Sequence, residues 1–286
     1  MKTKHDINKA LSIPKNEQRS DLIYKNTKTR SLKLTFIPPA VKKYEKSPIY
    51  FLIPGGGWHV EDRQSMLDFS KDSVEALRNE GFAVVSIDYR ICSEGAAMRD
   101  IIADCFDALA YIAHFAQILG IDKDRIVLSG HSAGAHLALM LAYAPRTEFD
   151  DRYEFDETFT IKAVAAMSAP TILYDIKTHA LWDIGDVFPE CNTMEEKART
   201  SPISYVSPSC PPTLLCAGTS DYVVYGISSE RIYFKLKEHN VKTQLILSVC
   251  GGHSFEKMYN DIKPSVSLEQ IQKNITEFIL KEMAMI

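Results

Sequence analysis

Ser132 stands in the pentapeptide Gly130-His131-Ser132-Ala133-Gly134, where its neighbours could make it a nucleophile. Arg125-Ile126-Val127-Leu128-Ser129 precedes it, a short β-branched apolar stretch that reads as a buried strand. Ala135 to Ala142 follows it and is rich in strong helix formers. A serine between glycines at a strand-to-helix reversal is a nucleophile elbow. The turn is so tight that its flanking residues must be small, and the hydroxyl is pushed out above the sheet. The helix that follows offers its free N-terminal N–H groups to an anion forming beside that hydroxyl.

A serine hydroxyl attacks only when a base takes its proton. Of the eight histidines, His5 lies in a polar tail, and His114 and His239 fall on helix faces. His179 has no motif around it. His136, one turn beyond the serine, reads as packing, and the ring of His131 is expected to point away from the hydroxyl. His253 is the strongest candidate, in Cys250-Gly251-Gly252-His253-Ser254-Phe255, just after the last strand-like run. That is the sheet edge where open α/β folds bind ligands. The base needs a carboxylate to fix its tautomer. Asp221, in Ala217-Gly218-Thr219-Ser220-Asp221, follows the penultimate strand on the same edge. Asp183 and Asp186 are weaker rivals, since no strand end delivers them.

The tetrahedral oxyanion requires two or three N–H donors already aimed at it. Ala133 supplies one. Pro54-Gly55-Gly56-Gly57-Trp58, at the end of an early strand, is the source of others, because glycine lets the backbone come close. Trp58 and His59 should border the pocket beside this loop, and Trp182 should close it from the far side.

Strand-like and helix-like segments alternate from about Leu32 onward, the pattern of an α/β fold with a mostly parallel sheet. Leu32 to Phe36 alternates and reads as half-exposed. Ile49 to Ile53, Phe82 to Ile87, Ile126 to Leu128, Ala163 to Met167, Thr213 to Ala217 and Gln244 to Val249 read as buried strands. Amphipathic helices fall before Gly81, over Ile101 to Phe115, over Ile227 to His239 and over Leu268 to Met283. Pro170 to Pro212 breaks the alternation and reads as an excursion over the carboxyl edge that helps wall a pocket. With no repeat or low-complexity linker, residues 1–286 are expected to form one domain.

Composition narrows the partners. Across 286 residues, 45% are hydrophobic and 24% charged, an ordinary globular balance. The net charge of −4 comes without a basic block, which argues against nucleic acid or an anionic membrane surface. Neither a signal peptide nor a membrane span is evident, so a cytoplasmic location is the default. The six cysteines lack CxxC spacing and read as free, mostly buried thiols, with no metal site expected.

Taken together, Gly55-Gly56-Gly57-Trp58, Asp88-Tyr89-Arg90, Gly130 to Gly134, Gly218 with Asp221, and Gly252-His253 resemble the α/β-hydrolase superfamily. The resemblance is to its esterase/lipase branch, which includes hormone-sensitive-lipase-like carboxylesterases. It implies an eight-stranded, mostly parallel sheet with helices on both faces. It also implies hydrolysis of short-chain, small-molecule acyl esters without metal or cofactor. By the family pattern Gly56 and Gly57 are the loop's oxyanion donors, and Asp88-Tyr89-Arg90 holds that loop. The order serine, acid, histidine is also the one this fold uses. One departure stands out: the family usually has histidine before the glycines, and here Pro54 takes that place. Proline has no N–H, so the loop must be anchored differently. The short stretch before Ile49 favours the compact group that resembles acetyl-xylan and feruloyl esterases and arylformamidases. A serine peptidase or a non-catalytic hydrolase-fold binding protein are the remaining alternatives.

Overall fold

The third strand explains the architecture. In β3 (Ser47–Ile53), Ile49, Phe51 and Ile53 face one side and Tyr50 and Leu52 the other, and all five are completely buried. Such a strand needs helices over both faces of its sheet. A computed structural model describes residues 19–60, 62–149, 155, 157–175 and 183–283. Its sheet has eight strands. These are β1 (Ser20–Asn26), β2 (Ser31–Ile37), β3, β4 (Ala83–Ile87), β5 (Ile121–His131), β6 (Ile161–Met167), β7 (Thr213–Gly218) and β8 (Thr243–Ser248). The spatial order is β1-β2-β4-β3-β5-β6-β7-β8. The pairs β1–β2 and β2–β4 are antiparallel, and every pair from β4–β3 to β7–β8 is parallel.

One face is covered by α1 (Arg63–Phe69), α2 (Lys71–Asn79) and the late helix α7 (Leu268–Glu282). The other is covered by α3 (Met98–His114), α4 (Ala133–Tyr143) and α6 (Ile227–Glu238), with the short α5 (Met194–Arg199) lying between the last two in sequence. Local chemistry marks several starts. Asp62 caps α1 by accepting from Gln64 N–H, and Ser267 forms a capping box with Gln270 at α7. The expected single helix before Gly81 is interrupted at Ser70, giving α1 and α2.

One expectation needs correction. The Gln244–Val249 run is not a buried strand. β8 is the sheet edge, paired only with β7, so most of its residues are half-exposed, and Val249 just beyond it is exposed. Among the described residues of the excursion, Pro170 and Leu173 reach the cavity described below, while Ile184, Phe188, Cys191 and Ile203 are buried in the same core as α3 and α4. The cysteines behave as expected: Cys105, Cys191, Cys210 and Cys216 are buried, Cys92 and Cys250 half-buried, and all are unbridged.

The start of α4 is wedged against the end of β3. A Cβ on Gly134 would collide with the Ile53 carbonyl and lie 2.6 Å from the Pro54 oxygen. Gly134→Ala should therefore cost about 3 kcal/mol or more, measured as a fall in the urea midpoint. Gly95 has a left-handed φ of 80° but open space around it, so Gly95→Ala should cost only about 1 kcal/mol. Equal losses in the two variants would refute steric wedging as the cause.

Candidate active site

The loop, nucleophile, acid and base candidates follow the carboxyl ends of β3, β5, β7 and β8. Ser132 follows β5 and occupies the cap position of α4 with φ 55° and ψ −122°, a conformation that side chains other than hydrogen rarely adopt. A serine at a helix start ordinarily spends its hydroxyl on a cap bond worth about 1 kcal/mol. Ser132 makes no such bond, and its hydroxyl is left for other partners. The strained turn is held from the side, because Ser132 N–H donates to Met167 O at 2.8 Å. The next strand repeats the device: Ser168, with φ 51°, donates its N–H to Cys216 O at 2.8 Å.

Asp221 follows β7. Its Oδ1 accepts from the N–H groups of Val223 (2.8 Å) and Val224 (2.9 Å), and its Oδ2 lies 2.7 Å from His253 Nδ1. The carboxylate is completely buried, and three donors compensate its desolvation. An ionised carboxylate can only accept, so Nδ1 of His253 carries the hydrogen and Nε2 of the neutral ring is the free base. The two loops are in backbone contact. A Cβ on Gly218 would collide with the carbonyls of Gly251 and Gly252, and Ser220 N–H donates to Gly251 O at 2.9 Å.

The loop after β3 runs Gly56, Gly57 and Trp58 through φ values of 122°, 62° and 57°. The carbonyl of Gly56 is turned back to accept from His59 and Val60, both at 3.1 Å. Among the described residues, no backbone carbonyl accepts from the N–H groups of Gly56, Gly57 or Ala133. The anchoring that Pro54 cannot supply through an N–H it supplies through its carbonyl, which accepts from Tyr89 Oη at 2.8 Å. Cys92 N–H donates to Trp58 O at 2.9 Å, and Ser93 Oγ to His59 O at 2.9 Å. The flanking residues of Tyr89 are themselves tied down. Asp88 pairs with Arg63 and accepts from Lys33 N–H, while Arg90 pairs with the buried Asp104. Tyr24 Oη, from the first hairpin, donates to Asp88 O at 2.6 Å.

A cavity of about 520 Å³ joins these parts, with Gly56, Gly57, Ser132, Ala133 and His253 in its lining. Its apolar surface comes from Met66 and Phe69 of α1 on one side, and Leu173, Val223 and Val224 on the other. Among the described residues, Asp62 is the only carboxylate in the lining. Trp58 contributes to the wall, but its ring is buried edge-on against His136 and Phe188, with centroids at 5.1 and 6.1 Å. His136 Nε2 donates to Thr200 O, 2.7 Å away, so it packs as expected and ties α4 to the excursion.

His59 does not border the cavity. It is exposed, with Nδ1 3.2 Å from Cys92 Sγ, because the turn at Gly56 carries the chain outward. Trp182 and His179 lie outside the described residues. The ring of His131 packs 4.7 Å from Phe69 and 4.8 Å from the ring of His253, and the residue belongs to the cavity lining. A histidine beside the elbow serine was visible in the sequence, but only the packing of Phe69 shows which way the ring turns. Among the described residues, no three His, Cys, Asp or Glu side chains gather as a metal site, and no helix is long and apolar enough to cross a membrane.

The sheet order, and the serine on a strained turn between β5 and α4, define an α/β-hydrolase fold. The BD-FAE family model matches residues 35–236, and the chain belongs to that family. Among curated proteins, it is 27% identical over 234 residues to a rice (Oryza sativa) protein named "Probable isoprenylcysteine alpha-carbonyl methylesterase ICME", covering 77% of this chain and 54% of that one. It is 28% identical over 186 residues to "Probable carboxylic ester hydrolase LipM" of Mycobacterium tuberculosis, covering 62% and 42%. The chain thus spans about half the length of these two relatives. Of solved structures, the propionate-bound esterase Est2 of Thermogutta terrifontis superposes with a TM-score of 0.76 at 21% identity, covering 94% of this chain and 96% of that one. The same esterase phosphonylated by sarin gives 0.76 at 22%, covering 93% and 96%. At such identity the likeness is one of fold.

Burial holds the pKa of both His131 and His136 down, from the usual 6.5 to about 4. Below pH about 6.5 the unfolded chain takes up these protons first, so stability present above that pH is lost as pH falls toward 4. For His136 the loss is about 3 kcal/mol. Urea melts between pH about 7.5 and 4.5 should show this decline, and it should be shallower in His136→Gln. An equally steep decline in that variant would exclude the imidazole as its source.

Proposed function

We infer that the protein is a serine carboxylic-ester hydrolase acting on short-chain acyl esters through an acyl-enzyme intermediate. One observation carries the reading: a buried carboxylate fixes the tautomer of His253 at 2.7 Å, and that ring shares a cavity with an uncapped serine. In this mechanism His253 Nε2 takes the proton of Ser132 Oγ, and Oγ bonds to the ester carbonyl carbon. The oxyanion is received by the N–H groups of Gly56, Gly57 and Ala133. His253 returns its proton to the alcohol oxygen as the ester C–O bond breaks. Water then gives a proton to Nε2 and attacks the acyl carbonyl, and Ser132 Oγ leaves with that proton. Asp221 remains ionised throughout and stabilises the imidazolium.

The apolar lining suits an uncharged acyl group, and Asp62 disfavours anionic substrates. The short-chain preference draws support from Est2 of Thermogutta terrifontis, described in propionate-bound and butyrate-bound forms. Trp58 forms part of the substrate wall and supports the donor loop from behind. A small-molecule ester is the only partner the reaction requires.

Ser132→Ala should lower turnover of p-nitrophenyl butyrate by on the order of a million-fold and abolish labelling by a fluorophosphonate. A variant that kept most of its activity would sink the assignment.

Asp221→Asn should cost about 10⁴-fold in kcat, because an amide N–H₂ facing Nδ1 forces the hydrogen onto Nε2. A rate series from acetyl to octanoyl esters, run beside an aryl formamide and a feruloyl ester, should favour the short acyl esters. Faster cleavage of the formamide would move the reading to an amide-cleaving relative.

A further inference from the structure

His253 stands in an insecure place. It follows an edge strand that is paired on one side only, and it is reached through two successive glycines. Asp221 holds the ring through one hydrogen bond at Nδ1, which leaves the backbone of His253 to be fixed by something else. Two side chains converge on that backbone. His131 Nε2 lies 2.9 Å from the His253 carbonyl oxygen, and Ser168 Oγ donates to the same oxygen at 2.7 Å. A carbonyl only accepts, so His131 carries its hydrogen on Nε2.

We propose that His131 is a positioning residue, which together with Ser168 clamps the His253 carbonyl and so sets where Nε2 of His253 stands relative to Ser132. The proposal rests on the triad reading above. His131 is joined to Ser132 by one peptide bond, so the clamp connects nucleophile and base through a single hydrogen bond. Ser168 reaches the carbonyl from the end of β6, and its own backbone is fixed to β7 through Cys216 O. The His131 ring is held in turn against Phe69 of α1, with ring planes 36° apart. Its burial keeps the ring neutral well below pH 6.5, so the clamp adds no second cation beside the imidazolium formed in the reaction.

The test separates donation from packing. His131→Leu removes the donor and should lower kcat for p-nitrophenyl butyrate about ten- to hundredfold with KM nearly unchanged, since the base is misplaced and the cavity is not. His131→Gln presents an N–H at a similar reach and should recover most of that loss. Ser168→Ala removes the other donor without touching the cavity lining and should also lower kcat rather than raise KM. It serves as the second probe if His131→Leu fails to fold, which thermal melts will reveal. Unchanged kcat in both His131→Leu and Ser168→Ala would overturn the clamp. So would a His131→Gln variant as impaired as His131→Leu, because ring volume and not donation would then matter. Ser132→Ala is run alongside. If it stays active the triad reading itself fails, whereas an inactive Ser132→Ala beside normal His131→Leu and Ser168→Ala refutes the clamp alone.

Discussion

The close approach of the α4 start to the end of β3 is the constraint on which the rest of the site depends. No Cβ fits between Gly134 and the carbonyls of Ile53 and Pro54. That contact brings the start of α4 to the same cavity as the loop that leaves β3, so residues from two strand ends line one space. It also compels the reversal at Ser132 into a φ near 55°, which a helix cap would otherwise avoid. The strain is sustained by the neighbouring strands, through Ser132 N–H on Met167 O and Ser168 N–H on Cys216 O. Side-by-side parallel strands therefore do more than carry the residues, because each strand end fixes the turn of the one before it.

The buried polar groups of the site are handled in two ways. The Asp221 carboxylate is fully buried yet meets three donors, so its desolvation is compensated. His131 and His136 are both pushed toward pH 4 by burial and stay neutral near pH 7. His253 meets the Asp221 carboxylate at 2.7 Å.

Much of this was legible in the chain, for identifiable reasons. The nucleophile, acid and base candidates each follow a strand-like run and sit among small residues, and that combination survives without coordinates. The parallel strands showed as continuous apolar runs because both faces are covered. What was hidden depends on side-chain direction or on neighbours far along the chain. The ring of His131 packs on Phe69, sixty-two residues earlier in the numbering. His59 turns outward because the φ values at Gly56 to Trp58 redirect the chain. β8 resembles a buried strand by composition, and only sheet order makes it an edge. The role of Pro54 followed the same rule: its missing N–H was evident, whereas its carbonyl partner Tyr89 was visible only in the fold.

The wedge at Gly134 divides the cavity lining into two kinds of position. Gly56, Gly57 and Ala133 contribute backbone, and their placement is tied to Ile53 and Pro54 and through them to Tyr89 and the first hairpin. Val223, Val224, Leu173 and Met66 contribute only side-chain surface. Evolution, or a designer, can therefore re-cut the second set for a new acyl or alcohol group one residue at a time. The first set can change only in concert, so a lineage built on this frame should diversify in what it accepts long before it diversifies in what it does.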